Sequence, residues 1–386
     1  GRLEEAAAVY QKNLELNPGF FGFLPAIKIA LTRLEQGKLP LAELSAESAY
    51  EKTQGVDRAQ AASTLGDIEV DRLGSIVCKK AGTADSPRIM LPAHMDEIGF
   101  MVKLVTDKGF VKFSPLGGWW SQVLLAQRLR IKTQKGDVVG VLGAKPPHLL
   151  KSDERNKVVE LRDMYLDIGA KDKKAAEAMG VRPGDPIVPV SAYERLNGTK
   201  CLMAKAWDDR AGCAVMIEAL RQLQRVKHPN TVYGAGTIQE EVGLKGAKTA
   251  AAVIEPDVAL ALDVGIAADT PGIKDDETQG ELGKGPQICV RDGGMIPNVR
   301  LRDLAIKLCE EKKIPYQFQL LEGGTTDGSA IQVHSQGVAC LYLGIATRHI
   351  HSHCGILHET DFDNTVKLVV ELVKVLDAET VAGLAE

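Results

Sequence analysis

Isolated acids and histidines stand at the ends of several apolar runs in this sequence, and these residue types bind metal ions or move protons. The run PRIMLPAHMD ends on His94 and Asp96, and TVYGAGTIQEEVG ends on Glu240 and Glu241. The run DVALALDVG carries Asp263 close to its end. Each run has the length and composition of a buried β-strand. The sequence therefore places polar residues where strands end.

Two further candidates follow the same pattern. Asp208 comes directly after LMAKAW, at the start of a long amphipathic helix, and GVACLYLGIATRHIHSH leads into His351. In open α/β sheets, ligands bind in the crevice outside the carboxyl ends of the strands. We therefore expect these side chains to converge at one edge of a sheet.

The chemistry that such a set supports is metal binding. Crowded carboxylates repel one another unless a cation lies between them, and imidazole with carboxylate suits zinc, cobalt or manganese better than calcium. Two histidines and three acids exceed the ligands that one catalytic zinc needs, whereas two ions bridged by one carboxylate, about 3.5–4 Å apart, would use them all. A remaining carboxylate would act as general base. The neighbours Glu240 and Glu241 provide a base and a ligand.

The pattern leaves alternatives open. In RHIHSHCGILH, alternation puts His349, His351 and His353 on one side of an extended segment, so spacing does not decide which of them binds metal. A surface histidine cluster would read the same way. A single His-x-Asp at a strand end, or a Glu-Glu pair in a solvated turn, is common without a metal. The prediction of a metal site therefore rests on all of these motifs occurring together, in this order along the chain.

Composition excludes several classes of protein. The 386 residues are 45% hydrophobic and 25% charged, which is typical of a globular protein, and the net charge of −4 comes without a basic run that could bind nucleic acid. No apolar run approaches the roughly 18 residues of a membrane span, and no signal peptide is evident. Seven scattered cysteines without CxxC pairs indicate a reducing compartment, and we expect the cytoplasm.

The chain divides into three regions by pattern. Residues 1–50 predict a helical N-terminal segment whose Gly-basic-Leu opening recurs 36 residues later, a weak likeness to tetratricopeptide repeats; two helices packed on the next domain are the alternative. Residues 51–96 and 196–386 show the strand and helix alternation of an α/β domain. Residues 97–195 consist of strand-like runs and turn signals, which predicts an inserted β domain.

Together these motifs resemble the co-catalytic metallo-aminopeptidases of the tetrahedral (TET) type, family forty-two of the metallopeptidases, which includes proteins labelled cellulase M or glutamyl aminopeptidase. The resemblance runs from about residue 65 to the C-terminus. It rests on motifs in the family's order: VDRLGSI, AHMDEIGFMV, GGWWSQVLLAQRLRI, GAKPPHLL, DIGA, GVRPGDP, KAWDDRAGC, TIQEEVGLKGA, ALDVG and ATRHIHSHCGILH.

The resemblance implies a phosphorylase/hydrolase-like mixed-sheet catalytic domain with helices on both faces, interrupted by a PDZ-like β-barrel domain that serves oligomerisation. It implies a homo-oligomer, from dimer to dodecamer, that removes the N-terminal residue from peptides with a free N-terminus. It implies two divalent ions per chain, zinc or cobalt, and a water bridging them as nucleophile. The roles carried over are Asp208 as bridge, His94 and Asp263 at one ion, Glu241 and His351 at the other, Glu240 as base, Asp96 behind His94, and Thr326 and Asp327 near the substrate.

Two other functions compete with this prediction. A catalytically silent scaffold would bind partners through residues 1–50, but the predicted ligands and base are all present. An endoglucanase, as the cellulase label suggests, would need two carboxyl groups about 5–9.5 Å apart and no histidines. Aromatic residues make up only 5% of the chain, so few rings are available for stacking on sugars, although Trp119 and Trp120 would supply one platform.

Overall fold

The structure, a computed structural model, describes residues 67–274 and 280–385. The predicted helical segment 1–50 lies outside the described residues. Contacts within the chain divide these residues into two units. The first, here called the barrel unit, contains residues 97–192 and 351–354, and the second, here called the catalytic unit, contains the remaining described residues.

Seventeen strands and seven α-helices make up the described part of the chain. The strands are β1 (Asp67–Val70), β2 (Ile76–Lys80), β3 (Arg88–His94), β4 (Gly99–Val105), β5 (Val111–Leu116), β6 (Arg128–Thr133), β7 (Gly136–Gly143), β8 (Tyr165–Asp167), β9 (Pro186–Pro189), β10 (Glu194–Arg195), β11 (Cys201–Ala204), β12 (Thr231–Thr237), β13 (Val258–Ile266), β14 (Gln287–Arg291), β15 (Gln317–Leu320), β16 (Ala339–Arg348) and β17 (Gly355–His358). The helices are α1 (Lys173–Ala178), α2 (Trp207–Leu223), α3 (Lys245–Ile254), α4 (Val299–Lys312), α5 (Asp327–Gln332), α6 (Glu359–Val375) and α7 (Ala378–Gly383).

The catalytic unit is built on a mixed sheet of eleven strands. Its main path runs β1-β2-β12-β3-β13-β16-β17-β11-β10, and β14 and β15 branch from β16. The four strands β12, β3, β13 and β16 are parallel, so their carboxyl ends lie at one edge of the sheet. The register places Thr237, the last residue of β12, beside His94, the last residue of β3.

Helices cover both faces of this sheet, as predicted. On one face, small side chains of α3 and α5 pack on Met90, Ala259, Ala261 and Tyr342 of the central strands. On the other face, α2 and α6 contact β3, β13 and β16. Strands that are covered on both sides read as continuous apolar runs, which explains the sequence pattern of β3, β13 and β16.

The barrel unit is a closed six-stranded antiparallel barrel in the order β4-β5-β8-β7-β6-β9. Its core includes Phe100, Leu129 and Ile131, which are fully buried. In β6, buried Leu129 and Ile131 alternate with Arg128 and Arg130, which is the period-two pattern of a strand with one buried face. The predicted β-barrel is therefore confirmed, and its role in oligomerisation stays a prediction.

Within residues 67–274 and 280–385, no helix is long and apolar enough to cross a membrane.

Candidate active site

His94 is the centre of a buried cluster at the carboxyl end of β3. Its Nε2 lies 2.9 Å from Oδ1 of Asp208 and 3.9 Å from Oδ1 of Asp263. Its Nδ1 lies 3.1 Å from the backbone carbonyl oxygen of Asp96. Since a carbonyl oxygen only accepts, Nδ1 carries the proton and the lone pair of the neutral ring is on Nε2. The ring thus directs its basic nitrogen at the carboxylates.

The first, non-helical turn of α2 supplies Asp208 and its neighbour Asp209. Ala206 has left-handed dihedral angles, and Asp208 and Asp209 have non-helical ones. The regular part of α2 therefore begins after Asp209. The Asp209 carboxylate accepts hydrogen bonds from the backbone N–H of His94 at 3.0 Å and of Gly212 at 2.8 Å. Asp209 therefore ties the end of β3 to the start of α2.

Asp209 was not among the predicted site residues, although the structure buries it completely beside His94. The available signal was its spacing to Gly212, because an aspartate three residues before a helical N–H is the arrangement of a capping residue. Gly212 itself permits this approach. A Cβ there would lie 2.4 Å from Oδ1 of Asp209 and 2.7 Å from the carbonyl oxygen of Leu262 on β13.

Glu240 and Glu241 lie in the turn that follows β12. The carboxylate of Asp96 accepts the backbone N–H of Glu240 at 3.1 Å and that of Glu241 at 3.2 Å. The backbone carbonyl of Asp96 accepts the hydrogen bond from the ring of His94, whereas Oδ1 of Asp96 lies 3.7 Å from Nδ1 of His94. Asp96 therefore fixes the turn that carries both glutamates and contacts the ring mainly through its main chain.

The ligand-type atoms form two groups that share His94. One group is His94, Asp208 and Glu241, and the other is His94, Asp209 and Asp263; within each group the atoms lie within 4.8 Å of one another. Imidazole and carboxylate in this number suit a divalent ion such as zinc. Sequence reasoning anticipated four of these five residues.

The electrostatics of the cluster favour the binding of a cation. Burial raises the pKa of Asp263 well above its usual range, and the nearby charge of Asp208 raises it further. Burial alone would lower the pKa of His94, but its hydrogen bond to Asp208 and the charges of Glu240 and Asp263 raise it well above 6.5. A divalent cation among these groups would favour ionised carboxylates and a neutral imidazole. The residues therefore fit a bound metal.

Two further carboxyl groups beside the cluster have raised pKa values. Burial raises the pKa of Glu240 to about 8; the charge of His94 opposes this, and those of Asp327 and Glu241 add to it. Burial raises the pKa of Asp327 to about 6. The Oδ2 of Asp327 accepts a hydrogen bond from the Thr237 hydroxyl at the end of β12. Buried carboxyl groups with pKa values near neutrality are typical of catalytic sites.

Asp327 and Thr326 stand at the start of α5. Within the part of the chain that the structure describes, Oδ1 of Asp327 and the hydroxyl of Thr326 are buried and have no hydrogen-bond partner. Asp327 therefore lies near the ends of β3 and β12, and its Oδ1 accepts no hydrogen bond within the described residues.

His351 and His353 belong to the barrel unit. The Nδ1 of His351 lies 2.8 Å from the backbone carbonyl oxygen of Gly118, and the ring of His353 packs on Trp119 with centroids 5.5 Å apart. Burial lowers the pKa of His353 to about 4. These contacts explain why residues 351–354 group with the barrel rather than with the α/β region that the sequence assigned them to.

An α/β sheet with imidazole and carboxylates gathered at the ends of its parallel strands is the arrangement of a divalent-metal site. A family model described as M42 glutamyl aminopeptidase matches residues 74–368. The chain therefore belongs to the peptidase M42 family and is a metallo-aminopeptidase, a hydrolase acting on peptide bonds that binds divalent metal.

Three relatives illustrate the similarity. A TET aminopeptidase from a marine-sediment Thaumarchaeota archaeon is 46% identical, with 84% of this chain and 92% of that chain covered and a TM-score of 0.82. The Pyrococcus horikoshii TET1 peptidase, which can assemble into a tetrahedron or a large octahedral shell, is 33% identical, with 83% and 93% covered and a TM-score of 0.73. The lysyl aminopeptidase of Pyrococcus furiosus is 35% identical over 312 residues, which cover 80% of this chain and 87% of that protein. The resemblance predicted from the motifs is confirmed.

Proposed function

We propose that the protein uses two divalent ions to remove the N-terminal residue from peptides with a free N-terminus. The observation that carries this proposal is the cluster in which His94 Nε2 lies 2.9 Å from Asp208 and 3.9 Å from Asp263, with Glu241 within 4.8 Å. So many acids around one imidazole exceed the needs of a single tetrahedral ion.

The ligand roles are proposed as follows. As the family resemblance implies, Asp208 would be held by both ions, His94 and Asp263 would hold one of them, and Glu241 and His351 would hold the other. Asp208 lies within 4.8 Å of both His94 and Glu241, which supports a shared role for its carboxylate. Asp263 lies 3.9 Å from Nε2 of His94, which supports pairing these two residues. The role of His351 rests on the family resemblance, and its Nδ1 bonded to a carbonyl is the usual arrangement of a ligand histidine.

Glu240 is the proposed general base. When bound, the ions would polarise the scissile carbonyl and lower the pKa of a water towards about 7. Glu240 takes a proton from that water, whose oxygen forms the new bond to the carbonyl carbon, and returns the proton to the leaving amine as the C–N bond breaks. Burial raises the pKa of Glu240 above its usual range, which favours uptake of a proton, and a bound cation would oppose this shift.

The substrate is a peptide whose free N-terminus enters this site, and Thr326 and Asp327 are proposed to contact it. The position of Asp327 supports this, because its carboxyl group accepts a hydrogen bond from Thr237 at the end of β12, beside the strand end that carries His94. Zinc or cobalt is proposed as the metal because both suit imidazole and carboxylate ligands.

A homo-oligomer, assembled through the barrel unit, is proposed by analogy with the Pyrococcus horikoshii peptidase. A cytoplasmic location is proposed because all seven cysteines are free.

The test strips the purified protein with a chelator, restores zinc or cobalt, and measures release from a panel of amino-acid p-nitroanilides beside carboxymethylcellulose. The proposal predicts metal-dependent release that disappears when the α-amine is acetylated. Release that is insensitive to chelation or acetylation, or cleavage of the polysaccharide alone, would refute it.

A further inference from the structure

A turn after β14, residues 292–295 and here called the support turn, is closed by the carboxylate of Asp292. The Oδ1 of Asp292 accepts the backbone N–H of Gly294 at 2.7 Å and that of Met295 at 2.5 Å. The backbone N–H of Asp292 donates to the carbonyl oxygen of Met295 at 3.0 Å. Asp292 is only 2% exposed, so little water competes for these hydrogen bonds. One buried side chain therefore fixes the shape of the turn.

The support turn lies against residues 324–329, here called the contact segment, which contains both proposed substrate contacts. The N–H of Gly293 donates to the carbonyl oxygen of Gly324 at 2.7 Å. Met295 lies near the other end of the segment, because a Cβ on Gly328 would be 3.2 Å from its Sδ and its Cε. The support turn thus touches the contact segment on both sides of the proposed substrate contacts.

Gly294 leaves no room for a side chain between the support turn and the contact segment. A Cβ there would lie 2.5 Å from Oγ1 of Thr325 and 3.0 Å from Cβ of Ser329. The N–H and the hydroxyl of Ser329 both donate to the carbonyl oxygen of Thr326, at 3.0 and 2.9 Å. A methyl group at position 294 would therefore displace the residues that precede and hold Thr326.

Asp327 joins the contact segment to the strand ends that carry the proposed metal ligands. Its Oδ2 accepts a hydrogen bond from the hydroxyl of Thr237, which lies beside His94 in the register of β12 and β3. Burial raises the pKa of Asp327 to about 6, and the nearby charge of His94 opposes this rise. All of these residues belong to the catalytic unit. The segment held by the support turn is thus the one that brings a carboxyl group to the site.

We propose that Asp292 is a positioning residue for substrate binding, which fixes the support turn and thereby holds Thr326 and Asp327 where they contact the peptide. The inference rests on the proposed function, because it takes Thr326 and Asp327 as substrate contacts. An interaction that is equally strong with the bound substrate and with the transition state changes KM and leaves kcat unchanged. The support turn should therefore control KM.

The experiment compares the full-length wild type with Gly294→Ala, Asp327→Asn, the double variant and Gly323→Ala. The last is the control, because Gly323 directly precedes the contact segment and a Cβ there meets nothing within 4 Å. The values of kcat and KM are measured with the amino-acid p-nitroanilide that the wild type cleaves fastest. Elemental analysis gives the number of bound ions, and urea denaturation checks that each variant is folded.

We expect Gly294→Ala to raise KM about 10-fold, with kcat and the number of bound ions unchanged and with Gly323→Ala like the wild type. In the Asp327→Asn background the same substitution should raise KM much less, because the contact that it displaces is already weakened. A merely structural role would lower the stability of the protein without this dependence on Asp327.

Two results would overturn the inference and leave the proposed function standing. The first is an equal KM in Gly294→Ala and Gly323→Ala, and the second is a rise in KM that is undiminished in the double variant. A wild type that cleaves no p-nitroanilide with a free amine, although it binds metal, would overturn both the inference and the proposed function.

Asp292→Asn tests the positioning residue itself and covers failure of Gly294→Ala to fold. Burial raises the pKa of Asp292, and backbone N–H groups that include that of Thr326 oppose this rise. Asparagine keeps one oxygen to accept the N–H groups of the turn but removes the negative charge that attracts the N–H of Thr326. We expect KM to rise several-fold with both ions still bound. A wild-type KM in this variant would overturn the inference.

Discussion

The carboxylate of Asp96 accepts the backbone N–H of Glu240 at 3.1 Å, so the residue that follows His94 by two positions also fixes the turn carrying the proposed base. The second oxygen of Asp96 holds Glu241 in the same way at 3.2 Å. One side chain thus connects the end of β3 with the end of β12, and it orients a proposed ligand and the base together.

Asp96→Asn should impair metal binding and turnover together. An amide has only one acceptor oxygen, so it would place an N–H against the backbone N–H of Glu240 or Glu241. We expect a loss of about 10–100-fold in metal affinity or activity, measured by chelator competition and p-nitroanilide cleavage. Asp172→Asn, at the N-terminus of α1, is a matched control on the barrel unit. Unchanged affinity and activity in Asp96→Asn would show that the turn does not depend on this carboxylate.

Gly212→Ala should destabilise the catalytic unit. Its Cβ would lie 2.4 Å from Oδ1 of Asp209 and 2.7 Å from the carbonyl oxygen of Leu262, so α2 must move away from β13. Overpacking of this kind costs about 1–3 kcal/mol of unfolding free energy. Urea denaturation measures the change, with Gly383→Ala as a control that has open space around its Cβ. Equal stability of the two variants would contradict the close approach.

Asp269→Asn tests an ion pair between the loop after β13 and the end of β16. Arg348 donates to Asp269 from Nε at 2.7 Å and from Nη2 at 2.6 Å. These hydrogen bonds lower the pKa of Asp269 below its ordinary value of 3.8, although partial burial opposes them. The stabilisation is therefore fully present above pH 3.8 and is lost as the pH falls through the lower folded-state pKa.

We expect Asp269→Asn to lower the free energy of unfolding by about 1–2 kcal/mol at pH 7, and by less near pH 3. Urea denaturation of both proteins at the two pH values measures this. Asp153→Asn removes an exposed pair with Lys157 and should cost at most about 0.5 kcal/mol. A cost of Asp269→Asn that does not change with pH would argue against the charged pair.

Asp327→Asn tests the proposed substrate contact. The substitution keeps the shape of a buried side chain while removing the charge of the uncommitted oxygen. We expect kcat/KM for peptides with a free N-terminus to fall about 10-fold or more, with two ions still bound. Steady-state kinetics and metal analysis measure both, with Asp269→Asn as a control for loss of a carboxylate. Lost metal together with lost activity would assign Asp327 to metal binding instead.

The fold could be predicted because its patterns are local. Strands covered on both faces, such as β13, appear as continuous apolar runs, and β6 of the barrel shows strict alternation. The gathering of His94, Asp208, Glu241 and Asp263 followed from a general rule about strand ends. The family motifs gave the class of enzyme, which the family match confirms.

The sequence did not reveal the contacts made through the main chain. The role of Asp209 depends on the N–H of His94, 115 residues away, and the carbonyl of Gly118 contacts a ring 233 residues away. The histidines 349, 351 and 353 were equivalent by spacing. They differ in the structure because Gly118 bonds His351 while Trp119 covers His353. Such differences arise only when distant segments meet.

The most direct test of the central claim is the turnover of Glu240→Gln measured beside its metal content. Glutamine keeps the size of the side chain but cannot take the proton from water. The account predicts two ions per chain, as in wild type, and p-nitroanilide hydrolysis reduced about 10²–10⁴-fold. Undiminished hydrolysis with wild-type metal content would show that Glu240 is not the base.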